Sequence, residues 1–302
     1  MKIRQIYRFI GLLAKINYEF FLSSFQKYIF SNSIKKIGRR LPPSVDDVLN
    51  QPYVFVLSTG RCGTALMTDI LSKSSKLRVE HDPKPGLEYV SSLIHREEIS
   101  VEALTVAVLA ARFDLFFLDS FLRGKIYVET NNRISLFSPA LAKLLPNAKF
   151  IHLVRNPADF VRSGMRRGYY LEGVGHYHRL DGSRYAPWSS FSRLGKIAWE
   201  WNEINGKIEH FKSSVEASRV LTINSESLYK DPLVVGKIFE FIEIENPFSS
   251  KAGSSALAKM LLKPVNEQKD GDFPKYQNWD DGHKSELQRV ATLASTYGYF
   301  FD

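Results

Sequence analysis

Cysteine occurs once in the 302 residues, as Cys62, which rules out an internal disulfide and any zinc site built on paired thiolates. The seven histidines are scattered without the spacing of metal ligands, so no metal is expected. Long apolar runs are missing as well. Phe9 to Ala14 is too short to span a bilayer and is followed by Lys15 and Glu19, while Leu104 to Leu118 carries Arg112 and Asp114 at helical spacing and is expected to be a core helix. No repeat, low-complexity tract or nucleic-acid motif is present. Acidic residues are the minority, 32 Asp and Glu against 41 Lys and Arg, and the net charge of +9 favours an anionic ligand, an acidic polymer or a membrane surface. The basic residues are spread along the chain rather than gathered in a block, so a nucleic-acid partner is not expected.

Apolar material, by contrast, is ample: with 44% hydrophobic residues, a chain of this length can bury one large α/β core. Residues 1–45 read as a helical, aromatic and basic segment with no small-residue cleavage site, which either packs on the domain or lies on a membrane surface. Cytoplasmic residence, with that peripheral membrane contact as an open alternative, is the expected location. Residues 46–302 alternate short β-branched or apolar runs with helical patterns. The expected strands are Tyr53 to Ser58, Leu77 to His81, Ile126 to Thr130, Lys149 to Arg155 and Val220 to Asn224. This alternation predicts an α/β domain in which helices cover a mostly parallel sheet and ligands meet the carboxyl ends of the strands. Tyr169 to Ser190 lacks periodicity and reads as a loop or lid, Trp199 and Trp201 as helix-packing residues, and Asp281 to Tyr297 as a closing amphipathic helix.

The run from Val54 to Met67 is an apolar strand leading into a Gly-rich turn and then a helix. Such a turn aims backbone N–H groups and the positive end of the helix dipole at one point, which suits a phosphate. Gly60 and Gly63 let the backbone approach closely, and Ser58, Thr59 and Thr64 add hydroxyl donors. The nucleoside-triphosphatase spacing is absent: the glycines lie three apart, and Ala65 follows Thr64 where a Lys-[ST] pair would be needed. The cation inside the loop is Arg61. A second constellation begins with the strand ending at Arg155, where Asn156 and Pro157 open a helix that carries Ser163. Arg155 and Ser163 can hold a second, separate phosphate.

These residues resemble the sulfotransferases that use 3′-phosphoadenosine-5′-phosphosulfate (PAPS). Arg61-Cys62-Gly63-Thr64-Ala65 is similar to that family's first loop, [KR]-[SG]-G-T-[TS], with Cys and Ala at two variable places. Arg155-Asn156-Pro157 with Ser163 matches its second motif. Glu226-Ser227-Leu228, then Asp231-Pro232, resembles its late strand, and Phe273 to Trp279 with Tyr297-Gly298-Tyr299 resembles its C-terminal end. The likeness runs from about residue 50 to 302 and implies a three-layer sandwich like that of P-loop nucleoside triphosphatases. It also implies transfer of a sulfuryl group from PAPS, without a metal, to a hydroxyl or amine of a carbohydrate, glycolipid or small acceptor. Ser58, Thr59, Gly60, Arg61, Cys62, Gly63, Thr64 and Ala65 would hold the phosphosulfate, and Arg155 and Ser163 the 3′-phosphate. A P-loop small-molecule kinase and a non-enzymatic basic binding module are the alternatives.

The transfer also needs a cation for the transferred group and a base for the acceptor proton. Arg61 fits the first role. For the second, His81 ranks ahead of Glu80 and Asp82, which stand with it at the end of the second expected strand, and Glu129 ends the third. Lys263, Lys269 and Gly271 fall where the family carries a basic loop over the nucleotide, although the commoner Arg-Lys-Gly form is absent. Tyr169, Tyr170, His176, His178 and Arg179 are candidates for lining an acceptor groove.

Overall fold

The computed structural model describes residues 44–87, 90, 91, 94, 99–172, 179–262 and 271–301. The N-terminal segment up to residue 43 and His176, His178, Lys263 and Lys269 lie outside the described residues. Ser44 caps α1 (Val45–Leu49), which leads into β1 (Tyr53–Leu57) and α2 (Thr64–Leu71). Next come β2 (Leu77–Glu80), α3 (Val101–Leu115), β3 (Ile126–Glu129), α4 (Ser138–Leu144), β4 (Ala148–Val154) and α5 (Pro157–Arg166). The chain continues through α6 (Arg193–Lys212), β5 (Val220–Asn224), α7 (Ser225–Lys230), α8 (Pro232–Phe241), α9 (Lys251–Leu262) and α10 (Asp281–Val290).

The five strands among the described residues pair in parallel, in the order β2-β3-β1-β4-β5. Because side chains alternate along a strand and both faces are covered, β1 is buried at every position. Tyr53, Phe55 and Leu57 enter the core under α3, α4, α5, α6 and α10, whereas Val54 and Val56 enter the opposite core under α2, α8 and α9. This is the expected three-layer α/β sandwich. No described helix is long and apolar enough to cross a membrane.

Element ends differ from the sequence reading in instructive places. The third helix begins earlier, because the Ser100 hydroxyl accepts from the Ala103 N–H and caps it, and past Leu115 it widens into a π-helix through Leu122. The closing helix stops at Val290 rather than Tyr297. The Leu293 N–H bonds the side chain of Asn202 on α6 instead of a helical carbonyl, and Ser295–Tyr297 form a separate 3-10 turn before Gly298 in the left-handed region. Trp201 is fully buried and Trp199 nearly so, as expected of packing residues.

His152 on β4 is sealed between α6 and the C-terminal turn. Asn205 Nδ2 donates to the Trp201 carbonyl, so its Oδ1 is the acceptor and His152 Nε2–H the donor across 3.0 Å. Burial holds this imidazole down at about 4. A depressed histidine pKa leaves stability whole above the unfolded value near 6.5 and removes it as the pH falls toward 4, because only the unfolded chain takes up the proton. Urea titrations from pH 7 to pH 4 are expected to show this loss in the wild-type protein, approaching ~3 kcal/mol. That component should be missing from the slope of His152→Gln; equal slopes in the two proteins would refute the assignment.

Candidate active site

The strand order reverses beside β1: the chain runs out to β2 and β3 on one side, then returns to place β4 on the other. A crevice opens at the carboxyl ends of β1 and β4, where such a reversal puts ligands. Both sequence motifs lie there. After β1 the backbone takes three left-handed residues, Gly60 (φ +77°), Arg61 (φ +58°) and Gly63 (φ +88°), within four positions. Arg61 adopts a conformation that L-residues avoid, at about 1–2 kcal/mol, so its surroundings must hold it. Arg155 Nη1 donates to the Arg61 carbonyl at 2.7 Å, and the Ser225 hydroxyl donates to the Cys62 carbonyl at 2.7 Å. At the root of the loop, the Ser58 amide and carbonyl both bond Ser135 Oγ. Gly63 sits at the N-cap of α2 with no side-chain cap, so the first-turn amides of this helix have no intrahelical acceptor.

Not every loop residue faces the crevice. Thr59, Gly60, Arg61, Gly63, Thr64 and Ala65 line a cavity of about 510 Å³, but Ser58 and Cys62 do not. Ser58 Oγ accepts the Gly60 N–H, a brace inside the turn. The Cys62 side chain is buried in the apolar core under α2, where burial pushes its thiol up to about 11. Of Cys62, expected among the donor-binding loop residues, only the backbone is left to serve there: its sulfur lies 3.0 Å from the Gly60 carbonyl and 3.1 Å from Thr59 Oγ1, inside the turn.

Arg155 and Ser163 line the same cavity from the other side. Asn156 caps α5 by accepting from the Ala158 N–H, and Pro157 begins the helix. Spacings of three, four and seven then put Asp159, Arg162, Ser163 and Arg166 on the polar face of α5, while Phe160, Val161 and Gly164 are buried. Arg61 Nε reaches Ser163 Oγ at 3.3 Å, so the two motifs meet directly. Burial and then Arg167, followed by Arg155, lower the pKa of the Arg61 guanidinium. Six arginines (Arg61, Arg155, Arg162, Arg166, Arg167 and Arg179) share the cavity wall with two carboxylates, Asp159 and Glu226. Glu226 itself receives the Asn156 N–H at 3.0 Å and the Tyr299 hydroxyl at 2.6 Å.

Strand parity sorts the base candidates. Glu80 and Glu129 are register partners and share one face of the sheet. On that face Glu129 is fully buried and takes two hydrogen bonds from Arg112, at 2.8 and 2.9 Å, and one from the Tyr127 hydroxyl at 3.0 Å. A carboxylate so engaged, outside the cavity, is a structural anchor and not a base. Glu80, the second-ranked candidate for the base, pairs with Arg78 at 2.6 Å and does not line the cavity, so the structure does not bring it to the site. Asp82 pairs with Arg133 at 3.1 Å. His81, one residue beyond the strand on the α2 side, lines the cavity, with Nδ1 2.8 Å from Thr130 Oγ1.

The sequence reading missed Asn132, whose side chain lies 3.2 Å from where a Cβ on Gly60 would stand, and Tyr229, whose ring lies 3.0 Å from a Cβ on Gly63. No motif marks either. It also passed over Arg162 and Arg166, although the helical spacing from Ser163 could have found both. Gly271 packs against α5, where its carbonyl accepts from Arg166 Nε at 2.9 Å. Tyr169 borders the cavity beneath the Arg179 guanidinium, 3.8 Å from the ring centre; Tyr170 turns away and donates to the Leu180 carbonyl.

This geometry agrees with what the chain is similar to. A sequence model of the sulfotransferase family matches residues 52–248, and the chain belongs to that family, which generally uses PAPS. The protein is therefore a sulfotransferase. No curated protein matches by sequence. Among solved structures, the sulfotransferase domain from the curacin biosynthetic pathway is 17% identical, with 82% of this chain and 98% of that one covered at a TM-score of 0.51. A sulfotransferase from Alicyclobacillus acidocaldarius is 14% identical, covering 83% and 97% at 0.51. Sulfotransferase STF9 from Mycobacterium avium is 12% identical, covering 91% and 86% at 0.52. At these identities the likeness concerns the fold.

The left-handed turn makes its own prediction. Gly63→Ala should lower stability by ~1–2 kcal/mol through its backbone and should also displace Tyr229 from the loop. Gly124→Ala is the control, since Gly124 is left-handed too (φ +64°) with nothing within 4 Å of an added Cβ. Thermal melting with and without adenosine 3′,5′-bisphosphate should show an intrinsic loss for both variants, the larger for Gly63→Ala, but a reduced ligand-induced rise only for Gly63→Ala. An undiminished rise in that variant would exclude the loop from the binding site.

Proposed function

We propose that the crevice binds PAPS between the two motifs and transfers its sulfuryl group to a hydroxyl or amine of a polar acceptor. The observation that carries this reading is the meeting of Arg61 with Ser163 at 3.3 Å and of Arg155 with the Arg61 carbonyl at 2.7 Å, in a cavity rimmed by arginines. A cavity of about 510 Å³ lies within the range of small-ligand sites. In this reading the first-turn amides of α2, Thr64 and Arg61 receive the phosphosulfate, and Arg155 and Ser163 receive the 3′-phosphate. PAPS supplies an activated sulfur whose bond to the phosphate oxygen breaks as the acceptor oxygen bonds to it. The chain's part is to align the two oxygens, offset the negative charge on the leaving phosphate with Arg61, and take the acceptor proton on His81. His81, Asn132, Tyr169 and Arg179, all on the cavity wall, provide the aromatic and polar surface on which a carbohydrate, glycolipid or other hydroxylated molecule would rest.

Calorimetric titration with adenosine 3′,5′-bisphosphate, in the presence of a chelator, tests the donor site. The wild-type protein should bind, Arg155→Ala should bind about 10- to 100-fold more weakly, and Ser163→Ala should lose several-fold. Absence of binding by the folded wild-type protein would overturn the reading. Arg61→Ala is expected to reduce kcat by ~10²–10³ while its melting temperature shifts by only a few degrees. Turnover that declined merely in step with folded fraction would assign Arg61 to the scaffold instead.

A further inference from the structure

Beside the cavity, three oxygens and one ring nitrogen form a chain of short contacts. Thr68 Oγ1 lies 2.8 Å from the Thr64 carbonyl one turn earlier on α2, Thr130 Oγ1 lies 2.7 Å from Thr68 Oγ1, and His81 Nδ1 lies 2.8 Å from Thr130 Oγ1. Each of the three contacts requires one proton between its atoms. The carbonyl brings none and the two hydroxyls bring one each, so the third must come from His81 Nδ1. Counting from the carbonyl fixes the direction: Thr68 donates to Thr64, Thr130 donates to Thr68, and His81 Nδ1–H donates to Thr130. The reverse order would leave the Thr68 hydroxyl and the Thr64 carbonyl 2.8 Å apart with no hydrogen between them. The remaining neighbours, Glu80 O from Thr130 Oγ1 and His81 Nδ1 from Thr68 Oγ1, are longer contacts, both at 3.4 Å.

We infer that Thr68 and Thr130 are positioning residues that hold neutral His81 in the Nδ1–H tautomer and so leave the Nε2 lone pair available as the proton acceptor. This rests on the proposed role of His81 as base and deepens it. When Nε2 takes the proton of the acceptor hydroxyl, Nδ1 keeps its own, and all three contacts stay satisfied without rearrangement. Sheet register delivers the arrangement. Thr130 follows β3, its N–H bonding the Glu80 carbonyl at 3.0 Å, so Thr130 and His81 emerge together on the face where α2 presents Thr68. Glu80 and Glu129, one position earlier, face the other way.

Long-range ¹H–¹⁵N correlation spectra of protein labelled with ¹⁵N-histidine test the inference without assaying activity, with the His81 signal identified by its loss in His81→Gln. With the ring neutral, Nδ1 should appear protonated and Nε2 unprotonated in the wild-type protein. Thr130→Val should shift the ring toward the Nε2–H form and lower kcat roughly ten- to hundredfold, with donor KM within about twofold. Thr130→Ser should retain the wild-type tautomer and most of the turnover. An Nε2–H ring in the wild-type protein would overturn the wiring even if His81→Gln were inactive. Should the tautomer be as inferred while His81→Gln keeps full turnover, the base assignment is what fails, and with it the catalytic purpose of the two threonines.

Discussion

The hydrogen bond from Arg155 to the carbonyl of Arg61 is the contact on which the site depends. It joins residues 94 apart, at the ends of adjacent strands, and it pins a loop that would otherwise relax. Arg61 is left-handed without being glycine, and its side chain stands among other cations. Neither condition favours the folded loop. Both are tolerated because the Cys62 carbonyl is held by Ser225, Ser58 is held by Ser135, and the sheet fixes the distance between β1 and β4. The loop amides and guanidinium groups are thus set in place before any anion arrives. An anion entering the crevice would find them already oriented, and would relieve the mutual repulsion that folding leaves behind.

The parallel sheet matters to this site chiefly through parity. Side chains alternate faces, so a shift of one residue decides whether a group at a strand end meets the crevice or the core. Glu129 meets the core, where Arg112 of α3 compensates its charge and the Tyr127 hydroxyl donates to it. His81 meets the crevice. Both residues stand at the ends of neighbouring strands, and register sends them to opposite faces.

That is also where the sequence stopped being legible. Val54 to Thr64 could be read as strand, turn and helix start because glycine placement and β-branched runs are local signals, and Arg155-Asn156-Pro157 announced a second strand end in the same way. Whether Cys62 pointed at a ligand or into the core could not be read, since that depends on the left-handed turn around it. The choice among His81, Glu80 and Glu129 required pairing partners from β2 and β3, which are long-range facts. Tyr229 and Asn132 reach the loop from separate parts of the chain, and nothing in their immediate sequence marks them. Arg162 and Arg166 were legible in principle, because a helix starting at Pro157 puts both on the face that carries Ser163.

The family match ends at residue 248, yet the described site continues well beyond it. Arg162 Nε donates to the Phe273 carbonyl at 3.1 Å and Arg166 Nε to the Gly271 carbonyl at 2.9 Å, which fixes how two of the six arginines stand on α5. Gly271 is left-handed (φ +79°), and a Cβ there would fall 2.4 Å from the Arg166 carbonyl, so the backbone can lie this close to α5 only as glycine. Farther on, Tyr299 donates to Glu226, the carboxylate that also receives the Asn156 N–H and so sets the turn after Arg155. Trp201 adds a bond from Nε1 to the Arg155 carbonyl at 2.9 Å. The residues that line the cavity come from the matched region, but their orientation is shared with a C-terminal stretch that sequence motifs describe only loosely. Changes there should act on the site through Arg162, Arg166 and Glu226 rather than through direct contact with a ligand, because those three side chains are where its hydrogen bonds to the cavity wall end.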